Sequence, residues 1–307
     1  MAVALGWAAW RWDTSPTQAL GGACLLLFGY ALVLAVEFGV MAWVNRSDPV
    51  PAPGPGELLR AWWQEVWVAP LVFSWRQPFR WRTWPDDVRP VPGRTAVVFV
   101  HGFVCNRGLW LPWMRRLRAQ GRPYASVNLE PVFGAIDHYI PLVETAVQAA
   151  ERLGGRPPVL VCHSMGGLAA RAWMAATPGA ARRVARVVTI GTPHQGTWLG
   201  HFSHQPNGRQ MRPDNGWLNA LAVRERALCP DGPYNRFVCW YSHTDNIVFP
   251  TSTACLAGAD NRFVPGRAHV AMAFDPVVMD QTLALLDADD QVSQADAAPA
   301  TTPPISP

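Results

Sequence analysis

The sequence predicts an α/β protein in which a doubly wound, mostly parallel sheet follows an N-terminal transmembrane helix. Three observations lead to this fold class: five short β-branched runs, helical segments between several of them, and one long apolar run near the N-terminus. Such short apolar runs suit strands that a parallel sheet buries on both faces. The predicted strands cover residues 95–100, 124–129, 157–163, 185–190 and 236–242.

Composition favours one globular domain. The chain has 307 residues, half of them hydrophobic, which is enough for one substantial α/β core and leaves little for a second. The net charge of +4 is small and scattered, and this argues against a nucleic-acid-binding protein. Six cysteines at irregular spacings form neither a C-x-x-C metal pattern nor a disulfide framework. We therefore predict neither a metal site nor a bound cofactor.

The first fifty residues are predicted to form a membrane anchor. Residues 19–44 carry one ionisable side chain, Glu37, in a run long enough to cross about 30 Å of hydrocarbon as a helix. A cleaved signal peptide is the alternative, but basic residues are lacking at the extreme N-terminus and no clear small-x-small cleavage site precedes Asn45. We expect an uncleaved, single-pass anchor over residues 1–50. Arginines flank the run on both sides, so its orientation stays open.

Residues 51–93 are predicted to form a Pro/Gly linker and a membrane-proximal segment. The stretch PVPAPGPGE should stay extended and resist helix formation. Six tryptophans then lie among arginines between Trp62 and Trp84. Because an indole has an apolar body and a polar N–H, this composition suits a bilayer interface. Packing of the rings on the outside of the following domain is the open alternative.

The last twenty residues, 288–307, are acidic at first and then rich in Pro, Thr and Ala. They contain almost nothing to bury, so we predict a disordered tail. The α/β domain accordingly covers residues 94–287.

The stretch VLVCHSMGGLAAR places Ser164 at a sharp turn between a buried strand and a helix. A side chain at this turn is held above the sheet edge, and the helix N-terminus behind it favours developing negative charge. The stretch departs from the G-x-S-x-G pattern of nucleophilic serines at Cys162, a small residue that can be buried in place of the first glycine. The alternative for Ser164 alone is an ordinary helix N-cap.

A nucleophilic serine needs a histidine base and a carboxylate that orients it, in the chain order Ser, acid, His. Asp245 directly follows a predicted strand, and His269 lies in a later loop. His243 precedes Asp245 and could work only with an earlier acid. We predict Asp245 and His269 as the partners of Ser164, with Asp260 as the reserve acid.

The same chemistry requires two backbone N–H groups that point at one oxyanion. The residue after the nucleophile, Met165, should supply one. The first predicted strand ends in His101 and Gly102, where glycine lets the backbone turn inward. We predict Phe103 as the second donor.

Six blocks of the sequence resemble those of bacterial triacylglycerol lipases and related esterases of the α/β-hydrolase superfamily. They are FVHGF, NLEPVFGAIDHY, VLVCHSMGGLAAR, VVTIGTPHQGT, SHTDNIVFP and GRAHVAM, within residues 94–286. The resemblance implies an α/β-hydrolase fold and hydrolysis of carboxylic esters, often lipids, through an acyl-enzyme. It also implies Ser164, Asp245 and His269 as catalytic residues, and Phe103 and Met165 as oxyanion donors.

From these observations we expect a single-pass protein of a bacterial inner membrane that acts on an ester or lipid substrate. A thioesterase, acyltransferase or polyester depolymerase with the same residues is the main alternative, because fold and triad do not select the leaving group. A non-catalytic, membrane-anchored binding module is another. Residues 196–221 are long and mixed in polarity, and we expect them to form a lid or peripheral helices.

Overall fold

The central sheet has six strands, all parallel, in the order β2-β1-β3-β4-β5-β6. The computed structural model describes residues 2–86, 89–230 and 232–297. The strands are β1 Val97–Val100, β2 Tyr124–Val127, β3 Val159–His163, β4 Arg186–Ile190, β5 Phe237–Tyr241 and β6 Asp260–Phe263. The five predicted strands and the parallel α/β fold are confirmed. Strand β6 was not predicted, because its sequence DNRF is polar and largely exposed at the sheet edge.

Helices precede, connect and follow the strands. They are α1 Ala2–Trp12, α2 Pro16–Val44, α3 Pro55–Pro70, a π-helical segment Leu71–Arg80, α4 Leu111–Ala119, α5 Ile140–Gly154, α6 Met165–Ala176, α7 Ala180–Arg183, α8 Pro206–Gln210, α9 Gly216–Leu228, α10 His269–Met272 and α11 Pro276–Ala297. Short 3₁₀ turns lie at Asn45–Ser47, Arg107–Trp110, Ile136–Tyr139, Trp198–Phe202 and Thr251–Ala254.

Both faces of the sheet are buried. Along β1, Val98 and Val100 point into the core under α5 and α6, whereas Val97 and Phe99 point into the opposite core with α4 and α11. This alternation follows from the two-residue period of a strand. Two apolar faces require helices on both sides, which explains the doubly wound architecture.

Helix α2 is long and apolar enough to cross a membrane: the candidate span covers Pro16–Ser47, with a mean hydropathy of 2.3. Only 6% of its most apolar window is buried within the protein. The last turns behave differently, because Phe38 and Met41 are buried together with Ala61 of α3 and Phe249 of the α/β domain. The beginning of α2 therefore packs on α1, where Ala19 is buried and Trp7 Nε1 donates to the Gln18 carbonyl oxygen at 3.0 Å, and its end packs on the α/β domain.

The predicted extended linker is shorter than expected. Helix α3 begins at Pro55, and Gly54 N–H donates to the Glu57 carboxylate at 3.0 Å, which caps the helix. Proline suits the first helical position because its missing N–H would have no partner there. The extended backbone therefore ends at Gly54.

The predicted tail boundary at residue 287 falls inside α11. Asp290 is buried, accepts a hydrogen bond from the Thr95 amide at 2.7 Å and lies 3.0 Å from Arg122 Nη2. Contacts with Arg122 and Thr95 thus fix Asp290 on the α/β domain, although composition alone predicts that this acidic stretch is disordered. Residues 298–307 of the predicted tail lie outside the described residues.

Candidate active site

Ser164 occupies the bend between β3 and α6 with the backbone angles φ 54° and ψ −130°. A positive φ is strained for a residue with a Cβ and must be held by its surroundings. The Ser164 amide donates to the Ile190 carbonyl of β4 at 2.9 Å. Behind it, a Cβ on Gly166 would lie 2.3 Å from the Val100 carbonyl oxygen. Strand, turn and helix therefore approach so closely that glycine is required there.

Cys162 lies two residues before Ser164, where the G-x-S-x-G pattern has its first glycine. Its side chain is fully buried on the core face that β3 shares with Val100 of β1. Burial raises the pKa of the Cys162 thiol, so the group stays protonated. Cys162 thus acts as a small apolar packing residue.

Asp245 and His269 form a buried pair. Asp245 follows β5, and His269 is the first residue of α10. The His269 Nδ1 atom lies 3.0 Å from Asp245 Oδ1 and 2.9 Å from Oδ2. Burial lowers the pKa of His269, but the charge and hydrogen bond of Asp245, with the charges of two nearby glutamates, outweigh it and raise the pKa above its usual value.

Ser164 and His269 line the same cavity. Within the described residues no hydrogen bond joins their side chains. His163 fills the space beside them, with its ring centroid 4.6 Å from that of His269 and its Nε2 3.1 Å from the His269 carbonyl oxygen. The structure therefore brings the three predicted catalytic residues to one place, and their catalytic roles stay a prediction.

The two predicted oxyanion donors flank Ser164. Met165 is the first residue of α6, and Phe103 lies in the loop after β1, where it lines the cavity. Within the described residues, neither backbone N–H donates to a protein acceptor. A Cβ on Gly102 would lie only 2.7 Å from Ser164 Cβ, so the loop approaches the serine closely.

Two further histidines, His243 and His194, and the reserve acid Asp260 lie outside this cavity. His243 contacts the N-terminal segment, with Nδ1 3.2 Å from the Pro51 carbonyl oxygen. His194 is buried, and its Nε2 lies 3.0 Å from the Thr189 hydroxyl. Asp260 pairs with Arg262 at the edge strand. In the part of the chain that the structure describes, no cluster of three or more His, Cys, Asp or Glu side chains could hold a metal ion.

The cavity above Ser164 has a volume of about 260 Å³. One wall comes from the α/β domain and the other from the N-terminal helices. The N-terminal wall consists of Leu34, Glu37, Glu65, Ala69 and Phe73. Residues 196–221, the expected lid, supply none of the lining residues. Helices α2 and α3 and the π-helical segment take that place.

Three polar residues at the site were missed by sequence reasoning: Glu37, Glu65 and Asn246. The Asn246 amide group donates to Glu37 at 3.0 Å, and its oxygen accepts the His269 backbone N–H at 3.2 Å. Glu37 is the single ionisable residue in the apolar run, and Glu65 is the single acid among the tryptophans of its segment. An isolated acid in an apolar stretch was the available signal.

The sequence matches the alpha/beta hydrolase family over residues 97–304. No curated protein matches it. Similar solved structures include the mature Bacillus licheniformis lipase BlEst2, 19% identical with a TM-score of 0.55, where the match covers 66% of this chain and 96% of that one. Aspergillus fumigatus lipase B is 16% identical with a TM-score of 0.52, and the match covers 61% of this chain and 51% of that one. At these identities the likeness concerns the fold.

Proposed function

The chain belongs to the alpha/beta hydrolase family, and from this premise we propose that it is a serine carboxylic-ester hydrolase of the lipase or esterase type. The observation that carries the proposal is the meeting of Ser164 with the buried Asp245–His269 pair in one cavity. The fold shared with two lipases is consistent with it.

The reaction follows from the geometry. His269 binds Asp245 through Nδ1, so Nε2 is the nitrogen that can take the Ser164 proton as the hydroxyl oxygen attacks the ester carbonyl. The imidazolium then protonates the departing alcohol and leaves an acyl group on Ser164. Water, deprotonated by His269, attacks this acyl group, releases the acid and restores the serine.

The free amides of Phe103 and Met165 would stabilise the tetrahedral oxyanion in both steps. They come from backbone that the fold holds in place, so little reorganisation is needed when the charge develops.

The cavity supports a substrate with an apolar acyl group. Leu34 and Phe73 line one side and Val104 and Ile247 the other, whereas the polar groups cluster around Ser164. An apolar wall with a few convergent polar groups favours an ester whose acyl chain is buried and whose carbonyl alone is polar.

We further propose that residues 1–50 form a single-pass anchor in a bacterial inner membrane and that residues 51–93 lie at its surface, beside a catalytic domain at 94–287. Large apolar side chains recur at every fourth position along α3 and the π-helical segment, and all are between 42% and 68% exposed. They are Leu59, Trp63, Trp67, Leu71, Trp75 and Phe79. Such a stripe next to a long apolar helix suits a lipid surface.

The experiment uses the full-length protein in detergent micelles. A fluorophosphonate probe is expected to label Ser164, as mapped by mass spectrometry, and p-nitrophenyl esters of increasing chain length should be hydrolysed. Ser164→Ala is expected to lose both labelling and turnover. Equal hydrolysis by this variant, or an adduct on another residue, would contradict the proposal. Faster turnover of a thioester than of its matched oxygen ester would favour a thioesterase.

A further inference from the structure

Three consecutive backbone amides at the start of α10 donate to side chains from outside that helix. The His269 amide donates to Asn246, as described above. The next two, of Val270 and Ala271, donate to the two carboxylate oxygens of Glu65, each at 3.1 Å. The first amides of a helix have no partner within it, so these contacts hold the turn that carries the imidazole.

Glu65 belongs to α3 and precedes Val270 by 205 residues. It lies before the part of the chain that matches the alpha/beta hydrolase family. We propose that Glu65 is a positioning residue for His269, and that the N-terminal segment thereby completes the active site. This inference rests on the proposed ester hydrolysis.

The environment of Glu65 is unusual for a carboxylate. The residue is 2% exposed, and a buried carboxylate is costly unless hydrogen bonds compensate. Its two oxygens each accept one of the two amides, so the bidentate contact fixes both the position and the rotation of the turn. Glu65 also lines the cavity together with Ser164 and His269. The Glu65 side chain therefore lies in the same cavity as the two residues that are proposed to react.

A second contact from the same segment reaches the same turn. Glu37 of α2 accepts from the Asn246 side chain, and Asn246 in turn accepts the His269 amide. Two N-terminal helices thus hold the histidine turn, one directly through Glu65 and one through Asn246. A shift of these helices would move His269 relative to Ser164.

Glu65 also acts on His269 through its charge. Burial raises the pKa of Glu65 to about 7, although the Val270 amide, the charge of His269 and the Ala271 amide act in the opposite direction. The charged groups that face this pair are Asp245, which raises the pKa of both, and Glu37, which raises that of His269. The ring of His163 also lies against His269, and burial lowers its pKa to about 3, so it faces the pair as a neutral group. Loss of the Glu65 charge should therefore lower the pKa of His269. Since the base must be neutral, the acidic limb of the kcat/KM profile should move to lower pH.

The test compares Glu65→Gln and Glu65→Asp with the matched control Glu57→Gln in the full-length protein in detergent micelles. Gln at 57 can keep the cap on Gly54, and Glu57 touches none of the three amides. For Glu65→Gln we expect kcat to fall about 10- to 100-fold, as for a misplaced catalytic group, with KM little changed and the acidic limb at lower pH. Glu57→Gln should match the parent protein.

Glu65→Asp keeps the charge but shortens the reach, so kcat should fall while the acidic limb stays in place. An unchanged kcat in this variant would overturn the proposal even if Glu65→Gln fails to fold. A kcat/KM–pH profile of Glu65→Gln that superimposes on that of the parent protein would also overturn the proposal. So would a loss of activity that equals the unfolded fraction of the variant and leaves the acidic limb at the same pH. An inactive parent protein would instead refute the proposed hydrolysis itself.

Discussion

The imidazole Nδ1 of His269 lies 2.9 Å from Asp245 Oδ2, and both residues are buried. The other carboxylate oxygen accepts the amides of Ile247 at 2.9 Å and Val248 at 2.8 Å. The loop after β5 therefore fixes the carboxylate, and the carboxylate fixes the tautomer of the imidazole.

Asp245→Asn should nearly abolish ester hydrolysis. The amide can donate to Nδ1 and so place the proton on Nε2, where it blocks uptake of the serine proton; we expect a loss in kcat of about 10³- to 10⁴-fold. In the parent protein the raised pKa of His269 predicts that activity falls as the pH drops through that value, because imidazolium cannot act as a base. The pH dependence of kcat/KM measures both effects. Activity within threefold of the parent protein would rule out this role for Asp245.

Gly102→Ala should impair turnover by moving the loop that carries the Phe103 amide. The new Cβ would lie 2.7 Å from Ser164 Cβ, so the loop or the serine must shift. Loss of one oxyanion donor typically costs about 10²-fold or more in kcat. Gly216→Ala is the control, since no atom lies within 4 Å of its added Cβ. Equal kcat values for the two variants would argue against an oxyanion role for the loop.

Cys162→Ala should keep kcat within about threefold and lower the free energy of unfolding by about 1 kcal/mol, because it removes one buried atom from the core. The raised pKa of the thiol also predicts that thiol reagents leave Cys162 unmodified in the folded protein. Steady-state kinetics and thermal unfolding measure the two effects. A large fall in kcat without loss of folded protein would give Cys162 a part in the chemistry.

Asp290→Asn should destabilise the protein by about 2 kcal/mol, because the buried Arg122 guanidinium loses one of its two carboxylate partners and keeps only the ion pair with the exposed Asp287. Burial raises the pKa of Asp290, but hydrogen bonds from Thr95 and the charge of Arg122 outweigh it and lower the pKa overall. A lowered folded-state pKa means that this stabilisation is present above the unfolded-state pKa and is lost as the pH falls through the folded-state value. Thermal unfolding at several pH values measures this, and a melting temperature equal to that of the parent protein would contradict it.

The double variant Trp63→Ser and Trp67→Ser should separate surface binding from chemistry. Both rings are exposed on α3, outside the cavity, so turnover of a short soluble ester should be unchanged. Turnover of a lipid ester in vesicles should fall severalfold, because the exposed stripe loses its apolar contacts with the bilayer. An equal effect on both substrates would contradict a role at the membrane surface.

Much of the fold and of the candidate site could be predicted from short stretches of the sequence. The five apolar strands, the turn at Ser164 and the order of Asp245 and His269 are recognisable because residues close in sequence set each of them. The edge strand β6 was missed because Asp260–Phe263 has no apolar pattern and becomes a strand only by pairing with β5.

By itself, the sequence determined the parallel α/β fold and the residues expected to carry the chemistry, since hydrophobic periodicity and turn chemistry are local. The tertiary structure alone decided that α2 and α3 wall the cavity and that Glu65 binds the amides after His269. It also decided that Asp290 belongs to a folded helix. The physical reason is the same in each case: a buried carboxylate is stabilised by donors far away in the chain, and only folding brings them within hydrogen-bond distance.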